Sequence, residues 1–109
     1  MSKIIFIKTN NNDINYLEQK EGQLLYCTDT NKVYYDNKEL IRLNISMNSL
    51  IIDTDDKRIS MINPLINKIY IVPETEKVYS HDGFRWSQIE NTTQLEQMIG
   101  SNQIGRAHV

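Results

Sequence analysis

The chain reads as a mainly β protein: repeated β-hairpins and meanders folded into a small sandwich or prism-like module, with the start of a helix at its C-terminal side. Three observations predict this. One eight-letter pattern is written three times, as "TDTNKVYY" from Thr28, "TDDKRISM" from Thr54 and "PETEKVYS" from Pro73. An Asp-Gly pair at 82–83 sits between two β-prone runs. The hydrophobic period changes after Asn91 from that of a strand to that of a helix.

The three copies align without gaps. Leu24, Leu50 and Ile69 share a column, as do Tyr26, Ile52 and Ile71. Asp29, Asp55 and Glu74 form an acidic column; Lys32, Arg58 and Lys77 form a basic one. Val33, Ile59 and Val78 follow, then Tyr34, Ser60 and Tyr79. Each unit is an apolar run, a polar patch and a second β-prone run, which is the pattern of a hairpin. Turns are expected near 29–31, 55–57, 74–76 and 81–83. A type I turn followed by a left-handed residue fits best, with Asn31 the residue that tolerates that conformation most easily. The acidic and basic columns read as solvated turn pairs. The copies lie 26 and 19 residues apart, so they are not the fixed period of a solenoid.

In chain order, residues 3–8 ("KIIFIK") read as a strand and "TNNNDINYLEQKEG" as a polar loop, anchored by Ile14, Tyr16 and Leu17. Gly22 ends the loop and the first hairpin begins. "ELIRLNI" from Glu39 supplies a third strand, and "FRWSQI" from Phe84 does the same for the last unit. Units one and three are therefore expected as three-stranded meanders and unit two as a simple hairpin. "HDG" at 81–83 suits a type I′ turn. Thr93 with Glu96 forms a capping-box pattern, and Leu95, Met98 and Ile99 share one helical face, the start of a helix or of a three-stranded coiled coil. The domain plan is a β-hairpin module over 1–90 and this helix or coiled coil over 91–103. Residues 104–109, "IGRAHV", match the in-frame translation of a common sequencing adapter, ATC GGA AGA GCA CAC GTC, whose preceding AG completes a codon for Gln103. They are read as an artefact that truncates a longer gene. Without them the basic count falls to 11 against 14 acidic residues, and His81 is the sole histidine.

The apolar runs "LLYC", "LII" and "IYIV" are continuous rather than alternating, so both faces of these strands need cover. With so few strands, part of that cover is expected from a neighbouring subunit. A two-sheet sandwich within one chain is the competing solution.

Composition narrows the function. One hundred and nine residues with 12 basic and 14 acidic side chains fit one near-neutral domain. No basic patch of the kind that nucleic-acid binding needs is present in the sequence. No apolar run approaches membrane-spanning length. The single cysteine, Cys27, lies in an apolar run and reads as a buried thiol. "DTDDKR" at 53–58 resembles the start of a calcium loop, but Arg58 stands where glycine is needed and Pro64 where a bidentate Glu is needed. His81 is placed in a turn, with no nucleophile–carboxylate partners in reach by spacing. Tyr34, Tyr35, Tyr79 and Trp86 could stack a sugar, although at strand spacing such residues more often serve a core or an interface. Catalytic, cofactor and metal residues are therefore expected to be none, and the binding residues are not fixed by the sequence.

The run "EGQLLYCTDTNKVYYDN" at 21–37 resembles the N-terminal β-modules of bacteriophage tail-fibre and receptor-binding proteins of the major-tropism-determinant kind. Glu21, Gly22, Tyr26, Thr28, Asp29, Thr30, Lys32 and Tyr34 carry the likeness; Tyr35-Asp36-Asn37 stands where the family often has Gly-Asp-Gly. "YIVPETEKVYSHDGFRW" resembles a second hairpin of phage fibre and baseplate proteins, in which Trp follows the Asp-Gly turn. The resemblance implies a non-enzymatic virion structural protein, made in the host cytoplasm and placed in the tail or fibre. It further implies a homotrimer that contacts other virion proteins and can meet a host surface glycan. Two alternatives stay open: a carbohydrate- or surface-binding adhesin module, and the N-terminal accessory domain of a virion depolymerase.

Overall fold

In the computed structural model, which describes residues 2–101, eight short strands form two four-stranded sheets. The first sheet holds β1 (Ile5–Thr9), β2 (Gln23–Cys27), β3 (Val33–Asp36) and β4 (Arg42–Asn44), side by side in chain order. The second holds β5 (Leu50–Ile52), β6 (Ile69–Val72), β7 (Lys77–His81) and β8 (Trp86–Gln88), in the same arrangement. A short helix α1 (Asp55–Ile59) follows β5, and a longer helix α2 (Thr92–Ser101) ends the described chain.

The two sheets are copies of one plan. In each, the first strand runs parallel to the second, and the next two continue as an antiparallel meander. Tyr26 pairs with Val33 in the first copy and Ile71 with Val78 in the second. Phe6 pairs with Leu24 and Leu50 with Ile69. The Ile45 N–H reaches Val33 and the Ile89 N–H reaches Val78, at 2.9 and 2.8 Å. Asn31 and Glu76 hold the left-handed position of the two hairpin turns, with φ of 60° and 58°. The first and third sequence units are thus the meanders that the pattern predicts.

The middle unit is not a hairpin. Residues 55–59 form α1, and Leu50–Ile52 pairs in parallel with β6 instead of turning back on itself. The cause is a helix-start signal inside the aligned pattern. Thr54 caps the helix by accepting the Lys57 N–H at 3.2 Å, Asp55 and Asp56 fill the first turn, and Lys57 and Arg58 the last. That charge order favours a helix dipole. The Asp-Gly turn differs too. His81 pairs with Trp86 across a four-residue loop, and Gly83 at φ +98° is its positive-φ residue, so the turn is not type I′. The Asp82 carboxylate accepts the N–H groups of Phe84 and Arg85, each at 2.8 Å.

One core draws on both sheets. Leu24, Tyr26, Val33 and Tyr35 of the first meet Leu50, Ile69, Ile71 and Val78 of the second, with Leu95 and Ile99 of α2 packed among them. The alternate side chains, Leu25 and Cys27, point to the outer face and are covered by Ile14 and Leu17 of the β1–β2 crossover. In the second sheet Tyr70 and Val72 are buried in the same way. Continuous apolar strands are therefore covered on both faces within one chain, by the shared core on one side and their own crossovers on the other. Leu95 and Ile99 are buried in that core and Met98 is half-buried against it. The helix start lies two residues before the expected one. Asn91 accepts the Gln94 N–H and Gln94 reaches back to the Glu90 N–H, both at 2.9 Å. Glu96 instead binds Tyr35. Gly22, at φ +90°, packs so close to the start of α2 that a Cβ would lie 3.1 Å from Thr92. Residues 104–109 lie outside the described part.

Candidate functional site

The duplicated plan makes each crossover comparable with its counterpart. At the start of each, a hairpin carboxylate grips a backbone N–H. Asp29 accepts the Asn11 N–H at 3.1 Å, and Glu74 accepts the Asp55 N–H at 3.0 Å. Two members of the acidic column thus fasten the crossovers and are not free turn charges.

Further along, the two copies use different chemistry. In the first, Asp36 is fully buried and paired with Arg42, Nε to Oδ1 at 2.7 Å and Nη2 to Oδ2 at 2.8 Å. The same guanidinium donates to the carbonyls of Ile14, Leu17 and Glu18. Gln23 and the Lys20 N–H also donate to Asp36, at 2.9 and 3.1 Å. Burial alone would raise the Asp36 carboxyl, but Arg42, Gln23 and Lys20 outweigh it and hold the group below its ordinary range. The hydrogen bond to Asp36 raises Arg42 in turn. This fork pins the crossover against the sheet.

In the second copy the corresponding strand pair is His81 and Trp86. The crossover is held there by Arg58, which α1 lays over the Tyr79 ring at 3.8 Å and beside the Trp86 ring at 4.9 Å. Asp55 fixes the guanidinium at 2.8 Å. Trp86 meets Tyr70 and His81 edge to face, with centroids 4.6 and 4.9 Å apart. The Tyr70 hydroxyl accepts the Leu65 N–H at 2.8 Å and donates to the Leu65 carbonyl at 3.1 Å.

The outcome of these anchors is an apolar end on the second copy. Ile62 is 88% exposed and Phe84 92%, with Ile59, Leu65 and Ile66 also open. Ile66 lies beside the Gly83 turn, 3.8 Å from where a Cβ would sit, so crossover and turn form one surface. Large exposed apolar side chains gathered on one end are a common feature of interaction surfaces. The first copy presents Tyr16, Leu40 and Ile41 from its own crossover and turn.

The four aromatic residues singled out in the sequence are not one platform. Tyr35 is fully buried in the shared core, with its hydroxyl 2.5 Å from Glu96. Burial, then the Glu96 hydrogen bond, pushes its phenol well above the usual range. Tyr34 packs on the outer cluster of the first sheet, and Tyr79 and Trp86 stack on Arg58. Cys27 is fully buried, and burial raises its thiol. The Asp53 and Asp55 carboxylates serve the Thr54 N–H and Arg58 respectively. The helical placement of Arg58 was legible from Thr54 and the Asp-Asp that follows, had the alignment not suggested a hairpin.

Comparison with family models, with curated proteins and with solved structures returned no match.

Proposed function

We propose that the chain is a non-enzymatic structural module of a bacteriophage virion, a tail-fibre, spike or baseplate attachment module that assembles as a homotrimer with other virion proteins. The observation that carries this reading is the folded form of residues 21–37. A short strand, a loop and a Glu-Gly lead into an apolar strand, a Thr-Asp-Thr-Asn-Lys turn and a strand carrying Tyr, and the second sheet repeats that order of elements. This is the plan of the phage modules that the sequence resembles. In this reading the trimer contact uses the exposed side chains of Ile62, Leu65, Ile66 and Phe84, and the crossover that carries the first three is anchored to the sheet by Tyr70 and Arg58.

The test is immunogold electron microscopy with antibodies raised against the recombinant chain. Particles purified from lysates of cells that carry the gene should be labelled on the tail or its fibres. Protein found only in the host envelope, with unlabelled particles, would overturn the reading in favour of an adhesin.

A further inference from the structure

The duplication exposes one place where the copies differ in volume. Tyr35 pairs with Leu43 across β3 and β4, and the equivalent pair across β7 and β8 is Ser80 with Ser87. In the first copy Tyr35 fills the space between sheet and helix and bonds Glu96 of α2. In the second copy the serines leave that space open. A cleft of about 240 Å³ results, between the end of the second sheet and α2. Its polar lining is Ser80, Ser87, Gln88, Gln94 and Gln97; Ile89 and Met98 supply the apolar part.

We infer that this cleft is a binding site for a single neutral sugar ring. Among the described residues that line it, none is charged. Anions are held by Arg or Lys and cations by carboxylates, so the lining selects an uncharged ligand. Hydroxyl and carboxamide groups each both donate and accept, which matches the adjacent hydroxyls of a sugar. A purely apolar ligand would desolvate these groups without pairing them. The side chains of Ser80 and Ser87 make no hydrogen bond to other described residues, so they are available to a ligand. Gln94 is positioned by its oxygen on the Glu90 N–H, a bond that leaves its amide donors unused. Met98, half-buried on α2, offers a surface for the C–H face of the ring. The volume lies below the roughly 300 Å³ at which pockets for drug-sized ligands begin, which limits the occupant to one ring. The inference goes beyond the virion reading, and its test in solution needs no particle.

The experiment is a titration of the isotope-labelled full chain with glucose, galactose, N-acetylglucosamine and N-acetylgalactosamine, followed by two-dimensional NMR. Glycerol is the control for nonspecific polyol effects. At least one sugar should give saturable shifts, with millimolar affinity, in the side-chain amides of Gln94 and Gln97 and the backbone of Ser80, Ser87 and Gln88. The double substitution Ser80→Tyr with Ser87→Leu installs the residues of the first copy and should abolish those shifts while the remaining spectrum is retained. Should that variant fail to fold, Gln97→Leu on the exposed helix face should weaken binding at least several-fold. Absence of saturable shifts with every sugar, equal shifts with glycerol, or undiminished binding by a folded filled-cleft variant would overturn the proposal.

Discussion

Asp36 and Tyr35 are neighbours on β3 that face opposite ways, and their environments impose opposite pH dependence. Asp36 lies in the fork with Arg42, Gln23 and Lys20. Its carboxyl titrates lower in the folded chain than in the unfolded one, so its contribution is complete above the ordinary aspartate value of about 4 and is lost as pH falls through the folded value. Asp36→Asn should leave the buried Arg42 without its counter-charge, cost about 3–5 kcal/mol and flatten the acid limb of the stability curve. Urea unfolding between neutral and acidic pH measures both. Tyr35 has a raised phenol, because burial and Glu96 favour the neutral form. Its contribution is complete below the ordinary tyrosine value of about 10 and is lost as pH rises above it. Tyr35→Phe should cost about 1.5–3 kcal/mol near neutral pH, the usual worth of a hydrogen bond to a charged group. It should also reduce the alkaline dependence, leaving the part that the raised Tyr26 phenol and Cys27 thiol contribute, which thermal melts across the alkaline range would read.

At the scale of elements, the two crossovers do one job with different residues. The first is a charge fork; the second is a cation laid on two rings. Trp86 is the only tryptophan in the sequence, so its emission reports on that stack directly. Arg58→Leu keeps much of the side chain's bulk and removes its charge. It should cost about 2 kcal/mol, the value for a desolvated cation on an aromatic face, and shift Trp86 emission without unfolding the sheets. An unchanged emission spectrum would show that Arg58 is not stacked in solution. The hairpins and meanders were legible because turn residues and apolar columns are local signals, and Asn31 took the conformation expected of it. The parallel pairings β1–β2 and β5–β6 were not, since nothing within a short strand states which partner lies beside it. The middle unit misled for a physical reason. Thr-Asp-Asp-Lys-Arg suits both a polar hairpin turn and a capped helical turn, and the following Ile59 and Met61 do not distinguish them. The cleft was also invisible, because Ser80 and Ser87 acquire meaning only beside Tyr35 and Leu43.

At the scale of the molecule, the sequence asked for a neighbouring subunit because strands such as "LLYC" and "IYIV" are apolar on both faces. The structure answers that demand within the chain: Ile14 and Leu17 cover the first outer face, and the crossover anchored by Arg58 and Tyr70 the second. Burial of the strands therefore no longer requires a trimer. What still favours association is the apolar end, where Ile62 and Phe84 are almost wholly open to water. Burying a large apolar side chain is worth about 1.5–3 kcal/mol, so covering this end would contribute to association, against the translational and rotational freedom that association costs. Sedimentation of the full chain should give a trimer mass. Ile62→Ser with Phe84→Ser should give a monomer that still unfolds cooperatively, because neither residue belongs to the shared core. A wild-type chain that sediments as a monomer at micromolar concentration would refute the trimer. A double variant that loses cooperative unfolding would show that the fold depends on its neighbours after all, as the strand pattern alone suggested.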